Sequence, residues 1–118
     1  MRLVHLLTLL PAIIVAAALM PQHARCADTD AATAFVIKAE GGRFQPSQLQ
    51  VIANQPFKVQ VTSAETTPIE FESFELRRER VVKPGETITV NMPALSPGTY
   101  KFFDDFHRDT PEGAIVAR

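Results

Sequence analysis

The chain has 118 residues, 46% of them hydrophobic and 21% charged, with a formal net charge of −1, one cysteine and no tryptophan. This length excludes a second sizeable domain, and the charge balance excludes the basic surface that nucleic acid or an anionic membrane would require. A lone cysteine excludes an internal disulfide framework.

The first 27 residues begin with Arg2, run through a leucine- and alanine-rich stretch at 3–20 and end in Pro21 and small residues. A charged start, an apolar middle and a small-residue end make a secretory signal peptide. The competing reading is a membrane anchor, but His5, Thr8 and Pro11 interrupt a run already short of the roughly 20 apolar residues a span needs. Cleavage falls after Cys26 or Ala27, and no membrane span is expected once it has occurred. The expected organisation is a signal peptide at 1–27, a flexible lead-in at 28–33 and one domain at 34–118, exported to the periplasm. All 13 acidic residues lie in the exported part.

From residue 34 onward, short runs rich in Val, Ile and Phe are divided by Pro, Gly and Asn: 34–39, 48–53, 57–63, 68–72, 80–83, 87–92, 99–103 and 114–117. Several alternate with period two. Phe57, Val59 and Val61 are set to one face and Lys58, Gln60 and Thr62 to the other, as in a half-buried strand. Lys83-Pro84-Gly85-Glu86 and Ser96-Pro97-Gly98-Thr99 each place Pro where φ is preset and Gly where φ must be positive, predicting two type II turns. Seven or eight short strands at this spacing predict an all-β Greek-key sandwich. Phe44, Phe57, Phe71 and Phe102 are expected in its core. The basic run Leu76-Arg77-Arg78-Glu79-Arg80 is expected on an exposed strand edge defended by charge, the alternative being a docking face for a membrane partner.

The segment from Tyr100 to Ile115 reads as strand, polar loop and final strand, with Asp104, Asp105 and His107 on the loop. Carboxylates and imidazole suit Fe, Mn, Zn and Cu(II), whereas thiolate and thioether suit Cu(I) and blue-copper electron transfer. Alone, one histidine beside two aspartates is also the composition of many solvated loops, where Asp stabilises turns through its own backbone. With one histidine beyond residue 23, no Ser/His/Asp set is suggested, and no glycine-rich phosphate loop is present.

The spacing resembles the C-terminal loop of the cupredoxins, in which a Tyr-x-Phe strand delivers Cys-x-x-His and then Met. In that register Asp104 stands at the Cys position, His107 at the His position and Glu112 near the Met. Ile69 stands where the family's first histidine is expected. More closely, the chain resembles small exported cupredoxin-like proteins of bacterial ferrous-iron transport systems. The matching series is Phe71-Glu72-Ser73, Glu75-Leu76, Val81-Val82-Lys83-Pro84-Gly85, Leu95-Ser96-Pro97-Gly98-Thr99-Tyr100-Lys101-Phe102 and Phe103-Asp104-Asp105-Phe106-His107.

The resemblance implies a periplasmic metal-binding protein that assists ferrous-iron uptake with a membrane iron permease and other periplasmic transport components. It implies iron as the metal, bound by Glu70 or Glu72 with Asp104 and His107, and with Asp105, Glu75 and Glu112 in reserve. Whether the protein acts as a ferroxidase or as an electron-transfer partner is left open. The alternatives are a periplasmic copper-binding protein or chaperone, and a metal-free interaction module of the same fold.

Overall fold

The structure, a computed structural model, describes residues 32–118. The expected signal peptide and all but the end of the lead-in lie outside the described residues. Nine strands follow: β1 (Ala34–Ala39), β2 (Phe44–Gln45), β3 (Gln48–Val51), β4 (Phe57–Ser63), β5 (Ile69–Ser73), β6 (Arg78–Val82), β7 (Thr87–Met92), β8 (Gly98–Asp104) and β9 (Gly113–Ala117). The eight apolar runs of the sequence correspond to β1 and β3 to β9, and β2 is additional. Among the described residues no helix is long and apolar enough to cross a membrane.

The strands form two sheets, one ordered β2-β1-β4-β7 and the other β3-β9-β8-β5-β6. The β1/β4 and β3/β9 pairs are parallel and the remaining pairs antiparallel. Parallel neighbours cannot be joined by a tight hairpin, so the chain crosses between sheets and builds an all-β sandwich. In β4 the alternation is complete: Phe57, Val59, Val61 and Ser63 are buried while Lys58, Gln60 and Thr62 are half-buried. A slip of one residue would carry Lys58 into the core, which holds the register.

The middle of the sandwich is aromatic. Phe44, Phe71 and Phe102 are buried together, with ring centroids 5.2 Å apart for Phe44–Phe102 and Phe71–Phe102 and 6.1 Å apart for Phe44–Phe71. Phe57 is buried too and meets Phe35 edge-on at 5.8 Å. Burying each such side chain contributes about 1.5–3 kcal/mol. Gly113 opens β9 directly opposite Phe102, whose ring lies over the glycine: a Cβ there would come within 2.2 Å of the ring.

Of the two expected turns, one forms as read. Gly85 has φ of +74° and the Glu86 N–H donates to the Lys83 carbonyl at 3.0 Å. The second differs. Gly98 is not in the left-handed region; it begins β8, paired with Ala117, so ladder pairing extends its backbone where a type II turn would need positive φ. The basic run lies at the turn before β6 and along β6, which is an outer strand of its sheet and exposes Glu79, Arg80 and Val81. Alternating charge on such a strand disfavours pairing with another chain.

Candidate metal centre

The alternation of β5 decides what its acidic residues can do. Ile69, Phe71 and Ser73 point into the sandwich, so Glu70 and Glu72 share the opposite face. On one side β6 sets Glu79 opposite Glu72, and on the other β8 runs out beside Glu70. There the Asp105 N–H donates to the Glu70 carbonyl at 3.0 Å, which ties the start of the loop to β5. As a result, carboxylate oxygens of Glu70, Glu72 and Asp105 all lie within 4.8 Å of one another.

This group is short of positive charge. The ion pairs among the described residues are Lys38–Glu40, Lys101–Glu112, His107–Asp104 and Arg108–Asp105, and none includes Glu70, Glu72 or Glu79. Glu70 is only 8% exposed. Its carboxyl is pushed above the ordinary 4.5, first by burial, then by its hydrogen bond with Glu79 and by repulsion from Glu79, Asp105 and Glu72. Glu72 is raised as well, by burial and then by Asp105 and Glu79, with Arg108 opposing. Arg108 is the cation that opposes the shift at Glu72. It bonds Asp105 at 3.0 Å while its guanidinium lies 4.1 Å from the centre of the Phe103 ring. Arg77 and Arg78 line the cleft beside Glu72 and Glu79, but among the described residues neither forms an ion pair with the cluster, which leaves an oxygen-rich group of the kind a hard divalent cation satisfies.

Asp104 and His107 form a second, adjoining group. Asp104 follows Phe102 on the inward side of β8 and is 6% exposed. Its Oδ1 accepts the Glu70 N–H at 2.9 Å and the Phe106 N–H at 3.1 Å. Its Oδ2 pairs with His107 Nδ1 at 2.6 Å. The His107 side chain is 39% exposed.

The five residues expected as ligands therefore divide: Glu70, Glu72 and Asp105 converge, while Asp104 and His107 bond to each other. Of the reserve residues, Asp105 thus joins the cluster, whereas Glu75 accepts the Lys101 N–H at 2.7 Å and Glu112 pairs with Lys101 Nζ at 3.1 Å. Glu79 was not among the expected residues. The signal for it was the spacing of the β5/β6 hairpin, whose turn at 74–77 places Glu79 opposite Glu72.

A two-sheet sandwich of mixed strand direction, with a polar loop between its last two strands, is the architecture of a cupredoxin-like domain. The chain belongs to the cupredoxin-like domain family, which it matches over residues 9–117. It is 38% identical over 74 residues to an uncharacterized protein of Rickettsia prowazekii (strain Madrid E), an overlap of 63% of this chain and 59% of that one. The chain thus spans about three-fifths of the length of this curated relative.

Among solved structures it is similar to auracyanin A, a blue copper protein from Chloroflexus aurantiacus, with a TM-score of 0.61 and 14% identity over 73% of this chain and 98% of that one. It is also similar to the metal-binding domain of the Cu(I)-exporting P-type ATPase of Streptococcus pneumoniae D39, with a TM-score of 0.58 and 17% identity over 72% and 84%. At such identities the likeness shows the fold alone.

Proposed function

We propose that the protein is an exported, periplasmic metal-binding accessory of ferrous-iron uptake, which takes Fe(II) as cargo at the carboxylates of Glu70, Glu72 and Asp105. The carrying observation is the convergence of those three groups within 4.8 Å of one another, with no ion pair to Glu70 or Glu72 among the described residues. Carboxylate oxygen is a hard donor. It suits Fe(II), and its charge favours Fe(III) more, so the same cluster that binds the ion also lowers the cost of oxidising it. Oxidation requires an acceptor of one electron, dioxygen or a neighbouring redox protein; hand-over to a membrane permease requires none. Export is supported by the leader-like residues 1–27, and the iron association by the motif series ending in Phe103-Asp104-Asp105-Phe106-His107.

A periplasmic copper-binding protein or chaperone is the second reading, favoured by the copper-binding proteins among its structural neighbours. A blue-copper centre does not fit the residues present. The described domain has no cysteine and one histidine; at the positions where the family's ligands are expected, Ile69 is a core residue, Asp104 accepts three hydrogen bonds, and Glu112 is tied to Lys101. Copper bound here would be Cu(II) on oxygen and imidazole donors.

The deciding experiment is an anaerobic calorimetric titration of Fe(II), with Cu(II) in parallel, into the protein and its Glu70→Gln/Glu72→Gln variant. Cu(II) commonly outranks Fe(II) at sites of this kind, so the loss on substitution carries the argument rather than the ranking. The expected result is saturable Fe(II) binding that the variant loses. Fe(II) binding unchanged in the variant would remove these carboxylates from the site. Absence of binding by either metal would leave the metal-free interaction module.

A further inference from the structure

We infer that Asp104 is a positioning residue, which holds His107 as its Nδ1–H tautomer and leaves Nε2 as the ring's one free electron pair, rather than ligating a cation itself. A carboxylate offers about four acceptor directions. Three are used here: Oδ1 by the N–H groups of Glu70 at 2.9 Å and Phe106 at 3.1 Å, Oδ2 by His107 Nδ1 at 2.6 Å. At 6% exposure the remaining direction has little access to solvent or to an incoming ion.

The tautomer follows from the identity of the partner. An ionised carboxylate only accepts, so the ring nitrogen facing it must carry the hydrogen, and the short distance fits a charge-assisted bond. The main chain that carries the ring is held from both sides. The His107 N–H donates to the Asp104 carbonyl at 3.2 Å, and the His107 carbonyl accepts the Thr110 N–H at 3.0 Å and the Thr110 hydroxyl at 2.7 Å. With Nδ1 engaged by Asp104, the ring presents Nε2 as a single basic atom, able to take a metal ion or a proton. Histidines that ligate metals commonly donate their other N–H to a carboxylate in this manner. The use of Nε2 toward a metal rests on the function proposed above; the tautomer does not.

The test separates the two. In the 15N-labelled, metal-free protein, long-range 1H–15N correlation followed to alkaline pH distinguishes a protonated from a bare ring nitrogen. The His107→Gln variant identifies the signals. Wild type is expected to show Nδ1 protonated and Nε2 bare.

In Asp104→Asn the amide oxygen can still accept from Glu70 and Phe106, but the NH2 group now faces Nδ1. The ring proton is then expected to move to Nε2, reversing the pattern, a change that a purely structural role for Asp104 would not produce. With Cu(II) as probe, pulsed EPR of wild type should show the remote nitrogen of an Nε2-bound imidazole, and Asp104→Asn should lower Cu(II) affinity about 10–100-fold. An Nε2–H tautomer in wild type overturns the proposal without any variant, as does an unchanged tautomer in folded Asp104→Asn. If the tautomers are as expected and neither Fe(II) nor Cu(II) binds, the positioning role stands and the metal-binding function fails.

Discussion

Replacing Gly113 by alanine tests the packing that supports the site from behind. The added methyl carbon would meet Phe102 Cζ at 2.2 Å, Cε2 at 2.3 Å and Cε1 at 2.9 Å, so the ring must retreat by about 1 Å to regain ordinary contact. It has little room to do so: Phe102 is fully buried, with Phe44 and Phe71 each 5.2 Å from its centroid. Overpacking of this kind costs about 1–3 kcal/mol, and three blocked contacts against a confined ring place Gly113→Ala near the upper end.

In urea, with a slope of about 1 kcal/mol per molar for a small domain, the midpoint should fall by about 3 M. Circular dichroism follows the transition. Phe102→Leu removes the clashing ring atoms and costs about 1–2 kcal/mol alone, so in the Gly113→Ala background it should be nearly neutral or stabilising. A double-mutant cycle should return a coupling of at least about 1 kcal/mol. Single changes that add to within about 0.5 kcal/mol, or a Gly113→Ala variant as stable as wild type, would refute the reasoning.

Three further outcomes follow from the acidic face and the loop. Because burial and like charge raise Glu70 and Glu72, the folded protein holds their protons more tightly than the unfolded chain. Metal-free stability should therefore fall as pH rises from the usual 4.5 through the raised values, and thermal melts of Glu70→Gln/Glu72→Gln should show a flatter profile. Asp104→Ala leaves the buried Glu70 N–H without its acceptor and frees His107, at a cost of about 3 kcal/mol by chemical denaturation, while Asp104→Asn should cost under about 1.5 kcal/mol. Cu(II) added to the protein should give a pale complex without the intense charge-transfer absorption of a copper thiolate; a strong blue colour would contradict the oxygen and nitrogen donor set.

The strands were legible because their alternation is local: β4 can be read from seven consecutive residues, and the Phe residues assigned to the core are buried there. β2 was not, since two residues make no period and depend on pairing with Lys38 and Ala39 of β1. Gly98 was misplaced because Pro-Gly chemistry favours a turn, whereas pairing with Ala117 draws the glycine into β8. At the site, residue types pointed to carboxylate and imidazole. How those residues divide depends in part on contacts remote in sequence: one of the three donors that engage Asp104 belongs to Glu70, and Glu79 reaches the cluster only through the β5/β6 register.

The three bonds to Asp104 bear on how descendants of this chain can vary. A descendant that binds no metal would still need an acceptor at position 104 for the Glu70 and Phe106 N–H groups, so persistence of Asp104 would record selection on folding as much as on chemistry. Glu72 takes part in no ion pair among the described residues, and its raised carboxyl carries an electrostatic penalty in the metal-free protein. In a descendant that binds no cation, little opposes its drift to a neutral side chain. Divergence in function should therefore surface first at Glu72, with Asp104 changing last.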